Sequence, residues 1–262
     1  MLKAERKGKQ GGIFSLMAGI TFRLFGALRS VAIVFWTVFW ISASLVVALV
    51  TFNRRMPLKM GRRIWAPGVL ALAGMKLKVG LLPAVDWARP HIFAMNHQSM
   101  LDIPVAFAVL PVDLRFIAKH SLARVPFLGW YMTLTGMVFV NRSRPTIAYE
   151  SLARAARRIR DGVNILVYPE GTRPTDGRLL PFKRGAFGLA IDAGVPVVPV
   201  AVNPSWRCLP SGHFVVSPGE VQVRVGEPIS TSDRTPADRD TLTAEVHDAV
   251  ASLLEQMSSE AR

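Results

Sequence analysis

A chain of 262 residues is long enough for one substantial domain with an appendage. Half of the residues are apolar and the formal net charge is +14, which argues against a disordered polymer and points to a membrane or a nucleic acid. The placement of charge then disfavours nucleic acid: residues 1–80 hold thirteen Lys or Arg against Glu5 alone, a net +12, while the rest hold nineteen against seventeen acids, a net +2. The excess flanks the most apolar part of the chain, as polybasic segments that meet anionic lipid head groups do. A single cysteine, Cys208, excludes an intramolecular disulfide and any multi-cysteine metal site, and its expected role is a small packed side chain.

Taken in order, Val31 to Phe52 is a run of 22 residues without a charge. At about 1.5 Å per residue it covers a hydrocarbon core about 30 Å thick. It ends in Asn53, Arg54, Arg55, Met56 and Pro57 rather than in a small-residue cleavage site, so it reads as a retained anchor. The stretch Ile13 to Leu28, interrupted by Arg23, fits an interfacial helix. The two could form a hairpin inserted from one side, or the longer one could cross alone. The expected division is therefore a basic membrane-anchoring helical region over residues 1–60 and an α/β domain over 61–262.

From Met75 onward, short apolar runs alternate with helical segments, an α/β rhythm. Strands are expected at Met75 to Val79, His91 to Met95, Leu114 to Ala118, Met137 to Val140, Val163 to Tyr168, Val195 to Val202 and Val221 to Val225. Helices are expected at Met100 to Val109, Phe127 to Thr135, Thr146 to Arg160, Gly185 to Ala193 and Pro236 to about Glu260. The Arg cluster of the third of these (Arg154, Arg157, Arg158, Arg160) covers more than one face, as a solvated surface does.

Two polar turns follow apolar strands. The first, AMNHQSMLD, places Asp102 five residues after His97. Five residues of continuous helix turn through about 500° and would part the side chains, so a functional pair needs His97 in the loop before the helix. Ser99 as N-cap would supply that break, and the Ser99 to Asp102 spacing is also that of a capping box, a structural explanation for the carboxylate. If Asp102 folds back, it can fix the imidazole tautomer and stabilise the imidazolium. The second turn, 73 residues on, runs Tyr168, Pro169, Glu170, Gly171, Thr172, Arg173 and brings backbone amides and a cation to the end of a strand, where α/β proteins commonly bind ligands. An ordinary turn with a surface Glu170–Arg173 pair is the plain alternative. His91, His120, His213 and His247 lack metal-ligand spacing, so no metal and no cofactor are expected.

The series NHQSMLD, FIAK (116–119), VPFLGW (125–130), GMVFVNR (136–142), YPEGTR, FKRGAF (182–187) and VPVVPV resembles, in type and order, the glycerophospholipid acyltransferase family, and most of all its bacterial 1-acyl-glycerol-3-phosphate members. Tyr168 departs from the Phe usual before Pro-Glu-Gly. The resemblance implies a mixed central sheet flanked by helices behind an N-terminal membrane-embedded segment. It also implies O-acyl transfer from acyl carrier protein or coenzyme A thioester, a co-substrate, to the sn-2 hydroxyl of lysophosphatidic acid, giving phosphatidic acid. His97 would act as general base with Asp102. Glu170, Gly171, Thr172 and Arg173 would bind substrate, with Glu170 read as orienting Arg173 in preference to contacting the glycerol. The resemblance implies that Lys119, Arg142 and Lys183 face the phosphate beside Arg173. Amides of residues 170–172 are candidate donors to the developing oxyanion. The partners implied are a lysophospholipid, the thioester carrier and membrane lipids, and the location an inner, cytoplasmic membrane with the body facing the cytoplasm. Acyl transfer to another lyso-lipid, such as a lyso-ornithine lipid, and a non-catalytic membrane tether remain as alternatives.

Overall fold

The structure is a computed structural model; it describes residues 2–80, 82–140 and 154–260, and for residues 2–18 the backbone alone. The helices labelled below are α1 (Leu2–Thr51), α2 (Met56–Met60), α3 (Ala66–Ala73), α4 (Asp102–Val109), α5 (Leu128–Thr135), α6 (Gly185–Ala193), α7 (Ser205–Cys208) and α8 (Arg239–Glu260). The strands are β1 (Met75–Val79), β2 (Ile92–Met95), β3 (Leu114–Lys119), β4 (Val138–Val140), β5 (Asn164–Val167), β6 (Val197–Asn203) and β7 (Gly219–Val225). They form one sheet of seven in the order β1-β7-β6-β2-β5-β3-β4. Every neighbouring pair is parallel except β6 with β7, so the sheet is mixed. The central strands β2, β5 and β6 are near-continuous apolar runs because both of their faces are covered.

The alternation of side chains divides the core into two layers. Phe93 and Met95 of β2 and Leu166 of β5 join a cluster with α3 and α4, while Ile92, Ala94, Ile165 and Val167 point the other way, against α6 and the helical residues 154–160. The last helix, α8, buries Leu242, Val246 and Val250 at four-residue spacing, the period of one helix face. A short turn, Pro236–Asp238, precedes it and begins with a reciprocal capping box between Thr235 and Asp238. The expected helix Thr146 to Arg160 lies partly outside the described residues. Within the described part, Arg158 and Arg160 donate to the carbonyls of Gly136 and Asp192.

The hairpin expectation for the N-terminus is corrected. α1 is one continuous helix of 50 residues, without a turn between Leu28 and Val31. Neither Arg23 nor Gly26 breaks it, since neither removes an i→i−4 hydrogen bond. Gly26 instead allows close approach, because a Cβ there would collide with Val215. Ser30 donates to the carbonyls of Gly26 and Phe214 and accepts from the Val216 amide, tying the helix to the body. Reciprocal indole bonds, Trp36 Nε1 to the Trp65 carbonyl at 3.0 Å and Trp65 Nε1 to Thr37 Oγ1 at 3.1 Å, secure its middle. The stretch Gly19–Thr51 is long and apolar enough to cross a membrane, and Phe35, Phe39, Leu49 and Val50 on it are exposed.

Candidate active site

His97 lies in the loop between β2 and α4, and its Nδ1 is 2.9 Å from Asp102 Oδ2. A carboxylate only accepts, so Nδ1 carries a proton, and in the neutral form of the ring the lone pair is on Nε2. Asp102 is fully buried, and the same Oδ2 accepts the amides of Gln98 at 2.7 Å and Ser99 at 2.8 Å. Oδ1 accepts the Ser205 hydroxyl at 2.5 Å. Four donors therefore compensate a charge that burial alone would penalise. The capping reading and the catalytic reading coincide in one carboxylate, but Ser99 is not the N-cap. Helix α4 begins at Asp102 after Leu101, with no side-chain cap, because the Ser99 hydroxyl donates to the Leu209 carbonyl and accepts the Leu101 amide.

Glu170 stands three residues beyond Val167, and His97 three beyond Ala94, and those two strand residues are paired across β2 and β5. The pairing continues past the sheet: the His97 amide donates to Glu170 Oε1 at 2.6 Å, and the Leu180 amide donates to Oε2 at 3.0 Å. Both oxygens are thus engaged by backbone, and among the described residues no ion pair joins Glu170 to Arg173, which corrects the expectation that Glu170 orients that cation. Burial pushes the Glu170 carboxyl up to about 7, against the two amide bonds that lower it, with the nearby Asp102 adding to the rise. The imidazole stacks on the Tyr168 ring with centroids 3.9 Å apart, and the Tyr168 hydroxyl is buried without a partner. Burial, and secondarily Asp102, holds that hydroxyl well above its ordinary range, so it stays neutral.

His97 opens onto a cavity of about 920 Å³. Its lining joins the polar His97, Lys119, Thr172 and Arg173 to a mostly apolar wall that includes Ile33, Val34, Trp40 and Ile41 of α1, Phe107 of α4 and Met132 of α5, with the hydroxyls of Ser30, Thr37 and Ser44 among them. A space of this kind takes an amphiphile, a charged head at one end and a hydrocarbon chain along the other.

Comparison with known proteins places this geometry. A family model described as Acyltransferase matches residues 77–203. An uncharacterized acyltransferase of Schizosaccharomyces pombe is 39% identical over 166 residues, 62% of this chain and 60% of that protein. The 1-acyl-sn-glycerol-3-phosphate acyltransferase alpha of Mus musculus is 35% identical over 192 residues, 72% of this chain and 67% of that protein. The chain belongs to the acyltransferase family. The crystal structure of the 1-acyl-sn-glycerophosphate (LPA) acyltransferase PlsC from Thermotoga maritima superposes with a TM-score of 0.76 at 26% identity, over 90% of this chain and 96% of that one. The chain thus spans about three fifths of the length of the fission-yeast relative.

In this chain, the residues singled out from sequence are distributed unevenly. His97, Gly171, Thr172, Arg173 and Lys119 share the cavity, and Glu170 sits behind His97. The Gly171 amide closes the turn onto the Tyr168 carbonyl at 3.0 Å, so it is spent inside the turn rather than aimed at an oxyanion. Lys183 is exposed and lines a separate depression with Arg184 and His247, on the side of α6 and α8. Arg142 lies outside the described residues. Cys208 is buried and free, its thiol pushed up by burial and then by Asp102, as suits a packed side chain. Sequence reasoning missed Ser205, which belongs to no motif and lies 103 residues from its partner, and the walls contributed by α1.

Proposed function

We propose that this chain transfers a fatty acyl group from an acyl carrier protein or coenzyme A thioester to the sn-2 hydroxyl of 1-acyl-glycerol-3-phosphate, giving phosphatidic acid. The observation that carries the reading is the His97–Asp102 pair, 2.9 Å apart, with His97 opening onto a mostly apolar cavity that Lys119 and Arg173 also line. The mouse relative and the Thermotoga structure are named as acyltransferases of 1-acyl-sn-glycerol-3-phosphate, and the cavity suits that class of substrate. In the step envisaged, His97 Nε2 takes the proton of the acceptor hydroxyl as its oxygen attacks the thioester carbonyl. The tetrahedral intermediate then expels the thiolate, which recovers the proton from the imidazolium, leaving a new ester and a free thiol. Asp102 holds the imidazole and stabilises its charged form. Arg173 and Lys119 offer cations to the phosphate monoester. Glu170 acts from behind, through the His97 backbone. Residues 1–60 serve as the anchoring region and 61–262 as the catalytic body, with its cavity at the head-group plane of a cytoplasmic membrane and facing the cytosolic thioester pool.

The test is acyl transfer by purified protein in detergent, with lysophosphatidic acid as acceptor and each thioester as donor. His97→Ala is expected to lose about two to four orders of magnitude in kcat. Arg173→Ala is expected to raise KM about tenfold or more for phosphate-bearing acceptors alone. Retention of more than roughly a tenth of wild-type kcat by His97→Ala would remove the general base from the mechanism. Equal rates with acceptors lacking the phosphate monoester would move the assignment to another lyso-lipid.

A further inference from the structure

Three of the four donors to Asp102 come from its own loop; the fourth does not. Oδ2 takes His97, Gln98 and Ser99, whereas Oδ1 takes Ser205 alone. Ser205 is the first residue of α7, immediately after β6, and is fully buried. Two further bonds join the same segments: Gln98 Nε2 to Asn203 Oδ1 at 3.3 Å, and the Ser99 hydroxyl to the Leu209 carbonyl at 2.9 Å. The Leu209 amide returns to the Ser205 carbonyl at 3.2 Å, which fixes where the hydroxyl sits.

Rotation about the Cβ–Cγ bond moves both carboxylate oxygens, and because that terminal torsion is broad, donors clustered at one oxygen and drawn from one loop leave the carboxylate able to rock with that loop. Bonded at both oxygens by groups on different elements, its plane is set. We propose that Ser205 is a positioning residue for acyl transfer, one that holds the plane of Asp102 so that His97 presents its second ring nitrogen to the acceptor hydroxyl. The proposal rests on the catalytic reading of His97 and Asp102 given above. Ser205 touches neither substrate nor imidazole; it acts through Asp102.

The experiment compares Ser205→Ala, Ser205→Cys, Ser205→Thr, Asp102→Asn, His97→Ala and the double variant Ser205→Ala/Asp102→Asn in the acyl-transfer assay. Melting temperatures are measured on each. Small displacements of a catalytic group cost up to about a hundredfold in rate, so Ser205→Ala is expected to lose roughly tenfold in kcat while KM for lysophosphatidic acid stays within about a factor of two. Ser205→Thr, which keeps the hydroxyl, restores most of the rate. Ser205→Cys, of similar size with a weak donor, falls between and keeps the test decisive if the alanine variant does not fold. The double variant is slower than Asp102→Asn by a smaller factor than Ser205→Ala is slower than wild type, since the hydroxyl then holds only a neutral amide. A kcat within about twofold of wild type for Ser205→Ala, or losses that multiply in the double variant, overturns the proposal. If His97→Ala is inactive while Ser205→Ala is unaffected, this proposal alone falls. If His97→Ala and Asp102→Asn both keep full rate, the catalytic reading itself falls.

Discussion

Asp102→Ala and Asp102→Asn are expected to fail in different ways. In the alanine variant, the amides of Gln98 and Ser99 and the hydroxyl of Ser205, residues that are at most 1% exposed, all lose their acceptor. A buried donor left unpaired costs about 1–3 kcal/mol, so three cost on the order of 3–9 kcal/mol. That is a large share of the roughly 5–15 kcal/mol by which native proteins are stable. At about 2–4 °C per kcal/mol for a chain of this size, the melting temperature falls by at least about 6 °C. Asparagine keeps an oxygen where His97 and the two amides donate and turns its NH2 toward Ser205, whose hydroxyl accepts as well as donates. It therefore folds, with melting within roughly 3 °C of wild type. What it loses is charge: a hydrogen bond to an ionised group contributes about 1–2 kcal/mol more than a neutral one, which corresponds to about 5–30-fold in kcat. Scanning fluorimetry and acyl-transfer kinetics on the same detergent preparations measure both quantities. An alanine variant that melts within about 3 °C of wild type would refute the hydrogen-bond accounting, and an asparagine variant with wild-type kcat would refute the role of charge.

Tyr168→Phe removes a buried hydroxyl without a partner while keeping the ring that stacks on His97, so it is expected to raise the melting temperature by a few degrees, about 1 kcal/mol, with kcat retained. A lower melting temperature would show that the hydroxyl is satisfied. Glu170, raised to about 7 in the fold, makes the folded chain hold a proton that the unfolded chain releases between the ordinary carboxylate range and that value. Its contribution to stability is greatest below the unfolded value and is lost as pH rises through about 7, so melting temperatures recorded from about pH 5 to about pH 8 decline, and Glu170→Gln flattens the slope. An unchanged slope in that variant would assign the effect to other groups.

Much of the fold was legible because buried apolar runs and helical periods are local. Gly185 to Ala193 is a helix over the residues expected, and β1 spans Met75–Val79 as read. The order of strands was not legible, since β2, β5 and β6 are all apolar runs and nothing local says which pairs with which. Continuity of α1 was hidden by Arg23, which interrupts the apolar run without removing any main-chain bond of the helix. At the site, His97 and Asp102 were readable because five residues spanning a loop and a helix start bring a ring and a carboxylate together. The task of Glu170 was not, because its partners are backbone amides, which leave no mark in a sequence, and one of them becomes a neighbour only through strand pairing.

That pairing has a consequence for what the fold tolerates. Over the 73 residues from His97 to Glu170 the chain adds β3 and β4 to the same sheet before it returns on β5 beside β2, in parallel register from Ile92 with Ile165 to Ala94 with Val167. The meeting of the two polar turns is thus fixed by a ladder of main-chain bonds, whatever the length of the detour between them. Asp102, β3 and β4 lie inside that span, so only the loops joining its elements tolerate lengthening without disturbing the sheet or the His97–Asp102 pair, and those loops are where the surroundings of Lys119 are free to vary.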